Sequence, residues 1–146
     1  MRDLPRQLSR EELSELFEGD TALVRKLAAT DDPLGRAHEV LAELTADEKL
    51  EALNAHPEIG ARAGLSARSA AEQGADADPE VLAELARLNR DYEERFGFRF
   101  VVFVNRRPKV EILEVLRGRI GRTREEELDT AVEELVAIAE DRWRHS

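Results

Sequence analysis

Three times along this chain a hydroxyl residue stands three positions ahead of a glutamate, at the head of a stretch whose apolar residues recur every three or four places: Ser9 with Glu12, Thr45 with Glu48, and Thr123 with Glu126. Such a pair satisfies two backbone groups that a helix start otherwise leaves unbonded, so the pattern predicts three helix N-termini. The first helix is expected from Arg10 to Phe17, with Leu13, Leu16 and Phe17 on one face and Gly19-Asp20 ending it. A second follows over Thr21 to Ala29 with Asp20 as its N-cap, and a third apolar stripe runs from Leu34 to Leu44 after the Asp31-Asp32-Pro33 break. The Thr45 helix carries Leu50 and Leu53 and must finish near Asn54, since Pro57 disfavours helical geometry at His56.

Further on, Ser66 to Gln73 reads as a brief helix between glycine-bearing breaks, and Asp78-Pro79 is a strong helix start. Val81, Leu82, Leu85, Leu88, Tyr92 and Phe96 keep helical spacing up to Gly97. Phe98 to Val104 then breaks the period with a short β-branched and aromatic run that has no partner strand. We therefore expect an extended segment buried among helices, whose backbone groups must find other partners. Arg106-Arg107-Pro108 turns the chain, a helix covers about Val110 to Ile120, and the last helix runs from Thr123 to about Arg142. The expected fold class is all-α: one domain over residues 1–146, an irregular helical bundle with a short buried extended segment.

Composition narrows the functional classes. At 146 residues with 42% apolar side chains there is material for one modest core. A net charge of -10 lacks the basic face that nucleic-acid binding requires. The absence of cysteine removes disulfides, thiolate nucleophiles and cysteine-bound metals. No segment reads as a signal core or as the roughly 20 apolar residues that span a bilayer, and Arg144-His145-Ser146 is not a peroxisomal address. The expectation is a soluble cytoplasmic protein that binds neither nucleic acid nor membrane.

The residues able to carry chemistry are few. A three-histidine zinc site would need His38, His56 and His145 together, one in mid-helix and one at the tail, so no metal site is expected. His56 stands at a corner, held extended before Pro57, where its ring projects differently from one in a helical ladder. By itself a histidine there is more often a structural hydrogen-bonding corner than a catalyst. Ser69 and Glu72 share a face at i, i+3, beside Gln73, and each has a plain reading as solvated surface. Arg119 would by default be a cation near a helix C-terminus, favoured by the macrodipole, and Asn89, Tyr92, Phe96 and Phe98 would be core and helix-end residues.

Taken together, the strings HPEIG, SAAEQG, LNRDYEERFGFRFVV, LRGRI and TREEELDTA, in that order, resemble the 2-oxo-4-hydroxy-4-carboxy-5-ureidoimidazoline (OHCU) decarboxylase family of urate degradation. The resemblance covers roughly Leu53 to the C-terminus, with FEGD near Phe17 a weaker continuation. It implies an all-helical, usually homodimeric enzyme that uses no cofactor and converts its small-molecule substrate to (S)-allantoin. It assigns His56 as the catalytic histidine of the HP motif, with Pro57 beside it, and Ser69, Glu72 and Gln73 as substrate contacts, Glu72 sharing the catalytic work. Arg119 becomes the arginine of the late helix, and Phe100, Val101 and Val102 part of the pocket wall. The sequence departs from the pattern at Arg99, where proline is common, and at Asp32 to Gly35 (DPLG), a loose match to a region often written RPF.

The residue types suit the implied reaction. When carbon dioxide leaves, the adjacent unsaturated ring can accept the electron pair, so pyridoxal phosphate or thiamine is not needed. A histidine titrating near neutrality can take the substrate's hydroxyl proton or return one to a single face. Glu72, Gln73 and Ser69 supply hydrogen bonds. An arginine clamped on the leaving carboxylate would stabilise the ground state, so Arg119 is better placed on the oxygen or ring that gains charge, with Glu72 nearer the departing group. The competing reading is a non-enzymatic acidic helical module for docking or dimerisation, which the stripes alone support equally.

Overall fold

The computed structural model describes residues 7–56 and 78–145, and among these residues the regular structure is entirely α-helical. The helices are α1 (Arg10–Leu16), α2 (Ala22–Ala28), α3 (Ala37–Glu43), α4 (Ala46–Asn54), α5 (Pro79–Phe96), α6 (Lys109–Arg119) and α7 (Arg124–Arg144). The three expected capping boxes are all formed. In the first, the Glu12 N–H donates to Ser9 Oγ and the Ser9 N–H to Glu12 Oε1, both at 3.1 Å; Thr45 with Glu48 and Thr123 with Glu126 repeat it. Asp78 caps α5 by accepting from the Glu80 N–H at 2.8 Å. Gly97 closes α5 at φ +81°, a left-handed conformation that glycine adopts without steric cost.

Several boundaries differ from expectation, most by a single residue, and three of them are instructive. Thr21, not Asp20, caps α2, its hydroxyl accepting from the Val24 N–H at 3.4 Å. Asp20 is drawn away by Arg10, whose Nε donates to it at 2.7 Å. The third helix begins at Ala37 rather than Leu34, because residues before it form a turn in which Asp32 has φ +60° and its carbonyl accepts from the Arg36 N–H at 2.9 Å. The last helix continues past Arg142 to Arg144.

Helix α7 is the spine. It packs against α1, α3 and α4, while α2 packs against α1, α3 and α4, and α5 against α6. Leu128, Ala131, Val132, Leu135, Val136, Ile138 and Ala139 supply its buried stripe. Among the described residues no helix is long and apolar enough to cross a membrane.

The segment from Phe98 to Val104 is extended and mostly buried, and side chains do for its backbone what a sheet would do. The Arg99 N–H donates to Asn54 Oδ1 at 3.3 Å and the Phe103 N–H to Glu134 Oε1 at 3.4 Å. The Val101 carbonyl accepts from Arg119 Nη1 at 2.7 Å and the Phe103 carbonyl from Arg107 Nη2 at 2.6 Å. Phe98 and Phe100 meet Tyr92 edge-on, with ring centroids 5.8 and 5.3 Å away. Each such pair adds about 0.5–1.5 kcal/mol beyond the apolar area it buries.

Candidate active site

Two buried polar clusters lie against this extended segment. The first forms where α6 ends and α7 begins. Arg119, in the last turn of α6, is only 7% exposed, and Glu127, one turn into α7, is 0% exposed. Arg119 Nε donates to Glu127 Oε1 at 2.7 Å, the Tyr92 hydroxyl donates to the same oxygen at 2.6 Å, and Arg122 Nη1 donates to Oε2 at 2.8 Å. The Arg119 guanidinium also lies over the Phe100 ring, 4.7 Å from its centroid. Its Nη2 is buried and has no hydrogen-bond partner among the described residues. Burial, and then the bond to Glu127, push the Tyr92 phenol well above its usual range, so the hydroxyl remains a donor.

Such placement is costly unless the charges are matched. An isolated guanidinium in the core would be strongly penalised, and the carboxylate at hydrogen-bonding distance offsets that cost. Arg119 does stand at the C-terminal end of α6, as its default reading has it, but inside the protein and paired with Glu127.

The second cluster surrounds His56, which follows the end of α4 and is 6% exposed. Its N–H donates to the Leu53 carbonyl at 3.2 Å, and its carbonyl accepts from Arg99 Nη1, tying the corner to the extended segment. Burial pushes the imidazole pKa down to about 4, with the Arg142 and Arg99 charges acting in the same direction and Glu18 opposing them. The ring is therefore neutral at pH 7, and its Nε2 is buried without a hydrogen-bond partner among the described residues. Arg142, from α7, donates to the Leu16 carbonyl at 2.9 Å and pairs with Glu18 at 3.1 Å. Glu18 holds a left-handed backbone at φ +64°, a conformation with a steric cost for a residue bearing a Cβ.

Of the residues singled out from the sequence, Arg119, Phe100 and Val101 form one contact set, and Val102 is buried beside them in the chain. His56 joins the same segment through Arg99. Pro57, Ser69, Glu72 and Gln73 lie outside the described residues. His38 and His145 are exposed. Glu127, Arg142 and Glu18 are not among the residues the sequence pattern singles out. For the first two a signal existed: Glu127 precedes Ala131 and Leu135 at successive intervals of four, and Arg142 follows Leu135 and Ile138 at helical spacing, so both sit on the apolar stripe of α7.

An all-helical fold that keeps an imidazole and an ion-paired guanidinium inside defines a class of helical protein with chemistry-bearing groups in its interior. The chain belongs to the OHCU decarboxylase family, whose family model matches residues 2–144. It is similar to the 2-oxo-4-hydroxy-4-carboxy-5-ureidoimidazoline decarboxylase of Haloferax volcanii, with 31% identity over 121 residues, 80% of this chain and 71% of that one. It is also similar to a uric acid degradation bifunctional protein of Bacillus subtilis, with 26% identity over 82% of this chain but only 25% of that much longer one. Among solved structures, an OHCU decarboxylase crystallised in the presence of (S)-allantoin shares the fold, with a TM-score of 0.74 and 24% identity over 90% of this chain and 94% of that one.

Proposed function

We propose that this protein decarboxylates 2-oxo-4-hydroxy-4-carboxy-5-ureidoimidazoline to (S)-allantoin in the breakdown of urate, without a cofactor. The observation that carries the reading is the family match along nearly the whole chain, and the buried, neutral His56 supports it. An imidazole without its proton at pH 7 is ready to act first as a base on the substrate hydroxyl. The bond to the carboxylate carbon then breaks, and carbon dioxide leaves. The electron pair passes into the unsaturated ring. The protonated His56 returns a proton to one face of the carbanionic centre, which fixes the stereochemistry and restores the free base, while the ring nitrogen left with the negative charge takes one proton from solvent.

Arg119 suits the ring or oxygen that gains charge, because Glu127 neutralises much of its ground-state pull on a carboxylate while leaving Nη2 to donate. The proposed substrate contacts also include Glu72, Ser69, Gln73 and Pro57, and Phe100, Val101 and Val102 as pocket wall. We read residues 1–146 as one domain, working as a cytoplasmic homodimer. The continuity of the apolar core from Leu8 to Ala139 supports the single domain.

The test generates the unstable substrate in place from urate with the two preceding enzymatic activities and follows optical rotation. Added protein should speed the appearance of one allantoin enantiomer. Racemic product at the uncatalysed rate would refute the assignment and favour the docking-module reading.

A further inference from the structure

We infer that Glu127 is a positioning residue for the reaction, setting the direction of the Arg119 guanidinium and so of the Nη2 donor offered to the substrate. This rests on the reading of Arg119 as a substrate contact.

An arginine side chain has several rotatable bonds, and a donor that must meet developing charge is effective only if it is already oriented. Arg119 is fixed on three sides: Nε on Glu127 Oε1 at 2.7 Å, Nη1 on the Val101 carbonyl at 2.7 Å, and its face on the Phe100 ring. Two of those anchors, the carbonyl and the ring, belong to the extended segment, and the third is Glu127. The carboxylate is itself immobile, because Tyr92 holds Oε1 at 2.6 Å and Arg122 holds Oε2 at 2.8 Å. Arg122 is in turn within 3.0 Å of Thr130 Oγ1. Both oxygens of Glu127 are thus engaged by protein donors and its side chain is 0% exposed, so it acts on a ligand through the side chains it holds, of which Arg119 carries the buried Nη2 donor. The pairing has an electrostatic effect as well. It leaves Arg119 a directional donor with much of its charge neutralised, suited to an oxygen gaining charge in the transition state and less prone to seize the departing carboxylate.

The inference is tested with Glu127→Gln, Glu127→Asp and Tyr92→Phe, alone and combined with Arg119→Gln, by measuring kcat and KM for stereospecific allantoin formation alongside helical content and melting temperature. Removing the outer partners of metal ligands typically costs about 10- to 100-fold, and the outer partner of a guanidinium donor is expected on the same scale. Glu127→Gln should lower kcat by that amount with its helical content retained. Glu127→Asp, which keeps the charge but withdraws it by one methylene, should recover part of the loss. Tyr92→Phe, which keeps the ring and removes one bond to Oε1, should shift kcat a few-fold in the same direction. In the Arg119→Gln background Glu127→Gln should cost nothing more, since residues acting as a unit are not additive. Wild-type kcat in folded Glu127→Gln, or an undiminished further loss in the Arg119→Gln background, would overturn the inference while leaving Arg119 in place. Should Glu127→Gln fail to fold, Tyr92→Phe and Glu127→Asp decide by the same criteria. Full activity in Arg119→Gln would instead remove the underlying reading of Arg119, and the inference with it.

Discussion

The two buried clusters solve one problem in opposite ways. At the junction of α6 and α7 the charge is kept and matched: Arg119 meets Glu127, and both oxygens of that carboxylate are occupied. At the end of α4 the charge is discarded, since burial and nearby arginines hold His56 in its neutral form. The difference follows from intrinsic chemistry. A guanidinium keeps its proton in proteins, so burying it demands a counter-charge, whereas an imidazole can release its proton and enter the core neutral. A scaffold with both arrangements carries a permanent donor in one place and a proton acceptor in another.

Breaking the acceptor should have the largest effect on catalysis. His56→Asn should lower the decarboxylation rate by about 10²–10⁴ with helical content unchanged, as read by optical rotation and circular dichroism. Breaking the matched pair should show most in stability. Glu127→Ala strands a buried guanidinium and should cost about 3–5 kcal/mol in denaturant unfolding, a loss that Glu127→Gln should reduce by retaining a hydrogen-bond acceptor.

The contrast also appears against pH. His56 binds its proton in the unfolded chain near 6.5 and in the folded protein only near about 4, so the unfolded state takes up more protons between those values. Its contribution is complete above pH 6.5 and is lost as pH falls toward 4. It amounts to about 3 kcal/mol, because each tenfold weakening of proton binding on folding is worth about 1.4 kcal/mol. Unfolding free energies measured from pH 7 to 4 should fall less steeply in His56→Asn than in the wild type, and parallel curves would refute the neutral, buried imidazole. The smallest expected effect is at the tether between the clusters. Arg99→Gln removes the donor to the His56 carbonyl, and because that side chain is about 39% exposed the stability cost should be only about 1 kcal/mol. A fall in kcat larger than that loss of stability explains would show that the corner depends on Arg99 for its aim.

Most of the helical layout could be read from local chemistry, because caps and apolar spacing are decided within a few residues. Ser9, Thr45, Asp78, Thr123 and Gly97 all act where the sequence placed them. The error at Asp20 arose from a distant partner, Arg10, which no local rule could reveal. Arg119 and Glu127 expose the same limit. Three consecutive glutamates at the start of α7 look alike in sequence, favourable to the helix dipole, yet Glu126 closes the capping box while Glu127 is buried against Arg119. Spacing held the clue, since Glu127 falls on the apolar stripe, but only the packed interior supplies the partner. His56 could be placed at a corner from Pro57 alone. Its proposed role came from resemblance, because burial and neighbouring charge, which make it neutral, are properties of the folded state.

The stretch from Phe98 to Val104 has a consequence for how this chain can vary. A strand in a sheet that slips can find a new ladder of identical partners, but here each docking point is a different side chain, Asn54, Arg119, Glu134 or Arg107. Adding one residue between Arg99 and Val101 would set the Asn54 docking point out of step with those at Arg119 and Glu134, with no neighbouring register to fall into. Length there is therefore as constrained as the identity of any single amino acid.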